Sequence, residues 1–485
     1  MTQVLRGNII QAPRLGELDI REHGYLVLED GVVQGVYEAL PQALASAPIT
    51  DYGDRLIMQS FVDMHLHAPQ YPMLGMGMDL PLLDWLNTYT FRTEARFADP
   101  DFARRTYRRL ASDLITNGTT RVCMFSSLHT EATWILMEEL ERAGVTGYVG
   151  KVNMDRNALP GILQETTEES VSETLRWLDG CHFEHVRPII TPRFTPSCSD
   201  ELMAALGKIA NDRGLYVQSH LSENKGEIAW VKELHPDCAQ YWETYDKYGL
   251  WKDHTVMAHC VHSDARECEA IRRAGVVVAH CAGSNINLCS GVSPVREMLQ
   301  QGIWVTLGSD IAGGAQLPMY KVITMSIRAS KIKRIETDWS EDFLTVPEGY
   351  YLGTTAGHRY FGGGEGFAAV DEHAALPGGA AGAQRHGIAV ARLKVKRPGR
   401  GEQLAGKQLR DACAQVAASG RNDGGATGLV HEAAHPLVGQ GRVQQQRLMP
   451  RAYHAPKRGK PFLAGVQRDA HIAALGRMRG DVSRI

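Results

Sequence analysis

From residue 56 to about residue 309, short apolar runs alternate with longer amphipathic stretches. The runs are LIMQSFVDMHL (56–66), TTRVCMFSS (119–127), VTGYVGKVNM (145–154), HVRPIIT (185–191), GLYVQSHL (214–221), HTVMAHCV (254–261), GVVVAHCA (275–282) and GIWVTLGS (302–309). They read as near-continuous apolar blocks, the pattern of parallel strands buried on both faces. Between them, stretches such as SVSETLRWLD (170–179) and DELMAALGKIANDRG (200–214) space their apolar residues as helices do. Eight such units predict an α/β fold built on a closed (β/α)8 TIM-like barrel over residues 56–367. Ahead of it, GYLVLEDGVVQGV (24–36) sets two apolar runs around Asp-Gly, the expected turn of a tight hairpin. Residues 1–55 therefore read as the N-terminal part of a small β-sandwich module.

After residue 367 the periodicity fades. ALPGGAAGAQRHG (375–387), KVKRPGRGEQ (394–403) and SGRNDGGATG (419–428) are rich in Gly, Ala and Arg. The 485-residue chain has a net charge of only −3, yet residues 371–485 carry 19 Lys+Arg against 8 Asp+Glu, leaving 33 against 47 for the rest. All eight tryptophans precede residue 371. Opposite charge in two parts of one chain needs a cause. Residues 368–485 read as an atypical basic tail, either disordered or the product of a reading-frame change in the coding sequence. Resequencing tests the second. In either case the small β module is expected to be incomplete, with open strand edges that lower stability.

Other composition narrows the class. Hydrophobic residues make up 44% and charged residues 22%, as in a globular protein. No apolar run reaches the roughly 18 residues of a membrane span, and the first residues lack the pattern of a secretory leader. The nine cysteines are scattered and form no CxxC pair, which fits a reducing cytoplasm.

The candidate chemistry lies at the strand ends. FVDMHLH (61–67) places His65 and His67 two apart, hence on one face of a strand. His220, His259, His280 and Asp310 close four later runs. Taken singly, each is better read as a satisfied core histidine or a loop-starting aspartate. Their recurrence at the mouth of successive units points to a shared site. Three neutral imidazoles and one carboxylate suit zinc or iron and leave room for a water to be activated. Asp310 is placed to take that water's proton, and Glu223, three residues beyond His220, to pass one to a substrate.

At these positions the chain resembles the amidohydrolase superfamily, through HLH (65–67), SHLSE (219–223), MAHCVH (257–262) and LGSDIAGG (307–314). Within it the chain is similar to the guanine deaminase family, through HAPQYPMLGMGMDLPLLDWLNTYTFRTEARF (67–97), PRFTPSC (192–198), ETTEESVSET (165–174) and SNINLCSGVSP (284–294). The resemblance covers roughly residues 20–367. It implies a hydrolytic deamination of guanine to xanthine and ammonia by a cytoplasmic homodimer, with one zinc per subunit on His65, His67, His220 and Asp310, iron being the alternative ion. No lysine closes the fourth strand, so a mononuclear site is implied. Glu223, His259 and Asp310 would be catalytic. Gln70, Trp85, Arg193 and Phe194 would bind the purine together with His220 and Glu223. Arg193 would offer a planar fork to O6 and N7, and Phe194 a stacking face.

Rival readings are weaker. Another ring deaminase or a chlorohydrolase on the same barrel would lack a reason for Arg193–Phe194 and the HAPQYP stretch. A homologue inactive through its altered end is the third possibility. The +11 tail would attract nucleic acid only non-specifically and has almost no aromatics to stack on bases. The isolated His182-x-Glu184 lacks the P-C-x-x-C of zinc cytidine deaminases. His431-Glu432-Ala433-Ala434-His435 has the HExxH form, but Pro436 follows at once and argues for coincidence. The family's Pro-Gly entry to the first barrel strand is replaced by Gln59-Ser60. Ser284, Asn285 and Asn287 are expected to shape the loop after His280.

Overall fold

A computed structural model describes residues 2–364, 367 and 388–391. The HExxH-like stretch and the basic tail apart from 388–391 lie outside the described residues.

The N-terminal module is one mixed sheet. Its strands are β1 (Thr2–Gln11), β2 (Asp19–Glu29), β3 (Val32–Tyr37) and β4 (Ile49–Gln59). β1 pairs antiparallel with β2 and parallel with β4, and β2 pairs antiparallel with β3. The expected hairpin is present. Asp30 and Gly31 form its turn with φ of 48° and 83°, the left-handed geometry that suits the twist of the flanking strands.

The expected first barrel run divides in two. Leu56–Gln59 belongs to β4, and the barrel begins at β5 (Phe61–His67). Ser60 is the joint: its carbonyl accepts from His358 Nε2 at 2.8 Å, and Gln59 Oε1 accepts from Thr355 Oγ1 at 3.1 Å. The atypical Gln59-Ser60 pair is thus bonded to the last helical segment of the barrel.

The remaining strands are β6 (Thr119–Phe125), β7 (Thr146–Gly150), β8 (Val152–Asn153), β9 (Val186–Pro188), β10 (Thr191–Pro192), β11 (Gln218–Leu221), β12 (Val256–His259), β13 (Val277–His280), β14 (Val305–Leu307) and β15 (Ile388–Ala391). β5-β6-β7-β9 and β11-β12-β13-β14 form two parallel sheets, and β8 and β10 extend the third and fourth units. Backbone bonds join the two sheets at both seams. Gln218 N–H donates to Ile190 O at 2.9 Å on one side; Asp310 N–H donates to His65 O at 2.8 Å on the other. Helices such as Pro100–Thr116, Thr130–Ala143, Thr167–Asp179 and Asp200–Asp212 cover the outside. Thr166 caps the third of these reciprocally with Glu169, a motif worth about 1 kcal/mol.

One expectation is corrected. The β4 edge is not left open: β15, from the basic tail, pairs antiparallel with it, Ile388 opposite Gln59 and Ala391 opposite Leu56. The composition of the tail hid a short β-forming IAVA.

Candidate functional site

The ends of β5, β11 and β12 and the residue that follows the β14 turn converge on one point. His65 and His67 project from β5 by the strand's period of two, His220 from β11, His259 from the last residue of β12, and Asp310 from the loop after β14. Three bends aim them. Ser222, His259 and Asp310 all have positive φ, at 48°, 75° and 46°. Side chains disfavour that region, and such strain gathers where geometry is functionally fixed. Gly308 makes the close approach possible, since a Cβ there would sit 2.8 Å from the Cβ of His65.

The distances define a cluster. His67 Nε2 lies 3.1 Å from His220 Nε2, and His65 Nε2 3.3 Å from Asp310 Oδ1. His67 Nε2 lies 3.7 Å from the same oxygen. All are buried. His220 Nδ1–H donates to the Arg193 carbonyl at 2.6 Å. A carbonyl can only accept, so the proton sits on Nδ1 and the Nε2 lone pair points inward. Burial, joined by the positive charge of neighbouring groups, pushes His67 and His220 well below the usual imidazole range. Both are therefore neutral and able to donate a lone pair. Burial opposes the charge of Asp310, but its close contact with His65 and the nearby His259 and His67 hold the carboxyl well below the usual range. His65 Nε2 is buried without a hydrogen-bond partner. An inward-pointing lone pair, an orphaned ring nitrogen and an ionised carboxylate within a few ångströms fit a divalent cation.

A pocket opens beside this cluster. Its wall is apolar, from Leu82, Trp85, Leu86, Phe194 and Leu288, with Gln70, Arg193, Glu223 and Glu227 as polar groups. Trp85 both lines the pocket and packs in the main core, its Nε1–H bonded to Met76 O at 3.0 Å. It comes from a helical stretch, Leu82–Ala98, interrupted by a π-turn at Leu86–Thr90, an irregularity frequent at functional sites.

Glu223 lies at the metal-facing end of the pocket. Its Oε1 accepts from Ser290 Oγ at 3.1 Å, and its Oε2 is 3.5 Å from His259 Nε2. Burial, with smaller contributions from Glu227 and Asp310, pushes its carboxyl up to about 7. A proton can therefore enter or leave it near neutrality. His259 is buried too, which alone would lower it; Glu223, Asp310 and the bond to Asn285 outweigh that and raise it. Asn285 Nδ2 donates to Ser293 Oγ at 3.1 Å, which turns its oxygen toward His259 Nδ1 at 2.8 Å. Asn285 thus sets the tautomer of His259, a role beyond shaping the loop.

The structure brings all ten candidate residues together, with one unexpected feature at Arg193. Its fork is already occupied in part: Nη1 and Nη2 bind Glu94 at 2.6 and 3.0 Å. Glu94, Glu227, Asn285 and Ser290 were not foreseen as parts of the site. His280 is buried, held neutral by desolvation at about 4, and falls outside all three candidate metal groupings among the described residues. His182 and Glu184 form no such grouping with one another, among the described residues. Lys151, buried after β7, is tied to Glu165 at 2.8 Å.

Comparison with known proteins bears on the fold and the family. Residues 56–364 match the model of the amidohydrolase family. The chain is 37% identical over 377 residues to a guanine deaminase of Dictyostelium discoideum, covering 74% of this chain and 83% of that protein. It is 42% identical over 308 residues to a guanine deaminase of Mus musculus, covering 63% of this chain and 68% of that one. The crystal structure of a guanine deaminase from C. acetobutylicum, with guanine bound in its active site, superposes with a TM-score of 0.80 at 39% identity, covering 88% of this chain and 97% of that chain. On its fold, its convergent strand-end residues and these matches, the chain belongs to the amidohydrolase family.

Proposed function

We propose that the protein hydrolyses guanine to xanthine and ammonia, with one zinc ion per chain held by His65, His67, His220 and Asp310. The observation that carries this reading is the adjacency of two things: imidazole lone pairs converging with an ionised carboxylate, and a buried Glu223 poised near neutrality. When bound, the cation acidifies water and so makes it a nucleophile at neutral pH.

The residues divide the remaining work. Asp310, held as carboxylate, accepts a proton from the attacking water. His259, its Nδ1–H fixed on Asn285, orients that water with Nε2 and stabilises the charge that develops as oxygen adds to C2. Glu223, entering protonated, gives its proton to ring N3. It then takes the proton of the new C2 hydroxyl and passes it to the 2-amino group, so that the C2–N bond breaks, C2 becomes a carbonyl and ammonia leaves, and the proton held on Asp310 restores Glu223. Gln70 and Arg193 face the oxo edge, Phe194 offers a stacking surface, and Trp85 with Leu82 and Leu86 excludes bulk water. No helix among the described residues is long and apolar enough to cross a membrane. The described cysteines are free, which supports a place in the reducing cytoplasm, and the family resemblance supports a homodimer.

The test is a substrate panel with stoichiometry. Guanine should disappear with one ammonia released per xanthine formed, and cytosine, adenine and a chlorinated triazine should react at least about 100-fold more slowly by kcat/KM, a gap of roughly 3 kcal/mol. Preference for any of those three over guanine would refute the assignment.

A further inference from the structure

Glu94 is 1% exposed and does not line the pocket, yet both polar groups facing the proposed oxo edge converge on it. Arg193, 3% exposed, gives it two parallel bonds, Nη1 to Oε2 at 2.6 Å and Nη2 to Oε1 at 3.0 Å. Gln70 Nε2 donates to Oε1 at 2.9 Å, while Gln70 Oε1 accepts from the Ala312 N–H at 2.9 Å. Phe91, one helical turn before Glu94, lies under the guanidinium, 5.2 Å from ring centroid to Cζ. The amide of Gln70 is therefore locked against a flip, and the plane of Arg193 is fixed on two sides.

This arrangement bears on recognition. A guanidinium has only donors, five in all, and a carboxylate gripping two of them end-on fixes where the others point. Guanine offers two acceptors, O6 and N7, on one edge, whereas adenine replaces O6 with an amino donor. We propose that Glu94 is a positioning residue that makes the pocket select a 6-oxo over a 6-amino purine, by holding Arg193 and Gln70 as oriented donors. Without its charge, Arg193 loses its anchor and Gln70 is free to turn its carbonyl toward an amino group. The inference rests on the guanine reading.

The experiment measures equilibrium binding of hypoxanthine and adenine to the metal-loaded parent and to Glu94→Gln. Hypoxanthine carries the 6-oxo edge and no 2-amino group, so binding is read apart from turnover. The parent should bind hypoxanthine more tightly than adenine. Glu94→Gln should weaken hypoxanthine by about 10- to 100-fold, the range for bonds to a charged group, and leave adenine within about threefold. KM for guanine should rise in step, with kcat changed much less and metal content unchanged. Burying Arg193 without its partner threatens folding. Glu94→Asp, which keeps the charge but draws it back by one methylene, provides a second reading and should show an intermediate loss of selectivity. A parent without preference for hypoxanthine would sink the guanine reading itself. A parent with that preference, retained undiminished in the folded variants, would overturn the role of Glu94 alone.

Discussion

Replacing Glu223 with Gln isolates proton transfer from the rest of the site. Glutamine has nearly the same shape, can keep the bond from Ser290 Oγ, now 3.1 Å from Glu223 Oε1, and removes the ionisable proton. Because the polar contacts of Glu223 run to Glu227, Ser290 and His259 rather than to the imidazoles of His65, His67 and His220, metal content should stay at the parent level. A positioned general acid–base contributes about 10²–10⁴ in rate, which is roughly 3–5 kcal/mol at 1.36 kcal/mol per tenfold. The structure favours the upper part of that range, since burial has already brought the carboxyl up to about 7, near the working pH. The assay follows guanine loss by absorbance and ammonia by a coupled reaction, with metal analysis on the same preparation. KM should change by less than about tenfold, since shape is preserved. A metal-loaded Glu223→Gln enzyme within tenfold of the parent kcat would refute the proton-transfer role.

Two further predictions concern the frame. Gly308→Ala would place a Cβ 2.8 Å from that of His65 and 2.9 Å from Cys281 Sγ, so His65 must shift; metal affinity should fall by about 10- to 100-fold, and an unchanged dissociation constant in a chelator competition would contradict this. Glu267 is buried, accepts from Ser263 Oγ at 2.6 Å, and is pushed by burial up to about 7 from an ordinary 4.5. A carboxyl raised by folding contributes stability that is full below about 4.5 and is lost as pH rises through about 7, at most roughly 3 kcal/mol. Glu267→Gln should therefore gain stability relative to the parent between pH 5 and pH 8, read from urea midpoints; an equal difference at both pH values would refute the argument.

Much of this architecture was legible because two periodicities coincide. Strand period two put His65 and His67 on one face, and the β–α repeat put His220, His259 and Asp310 at the same height. The Asp30-Gly31 turn was legible because its left-handed geometry restricts the residues allowed. The join between β4 and β5 was not, since LIMQSFVDMHL stays apolar across Ser60 and hydrophobicity alone carries no mark of a change of sheet. β15 was missed because four residues in a basic, Gly-rich stretch pair through backbone bonds that composition does not report. Glu94 was overlooked for a different reason. A lone carboxylate has no motif, although its place three residues after buried Phe91, on the apolar face of a helical stretch, is a signal that could have found it. The partnership of Asn285 with His259 joins separate units of the barrel, and no local spacing announces it.

The central claim is that three imidazoles and one carboxylate hold a single cation on which the reaction depends. Its most direct test is metal analysis of purified His220→Ala beside the parent, with guanine turnover on the same samples. The parent should contain about one zinc per chain and the variant well under a tenth of that, with turnover lost in parallel and a preserved thermal unfolding transition. A folded His220→Ala protein that keeps full metal content and deaminates guanine at the parent rate would contradict the account.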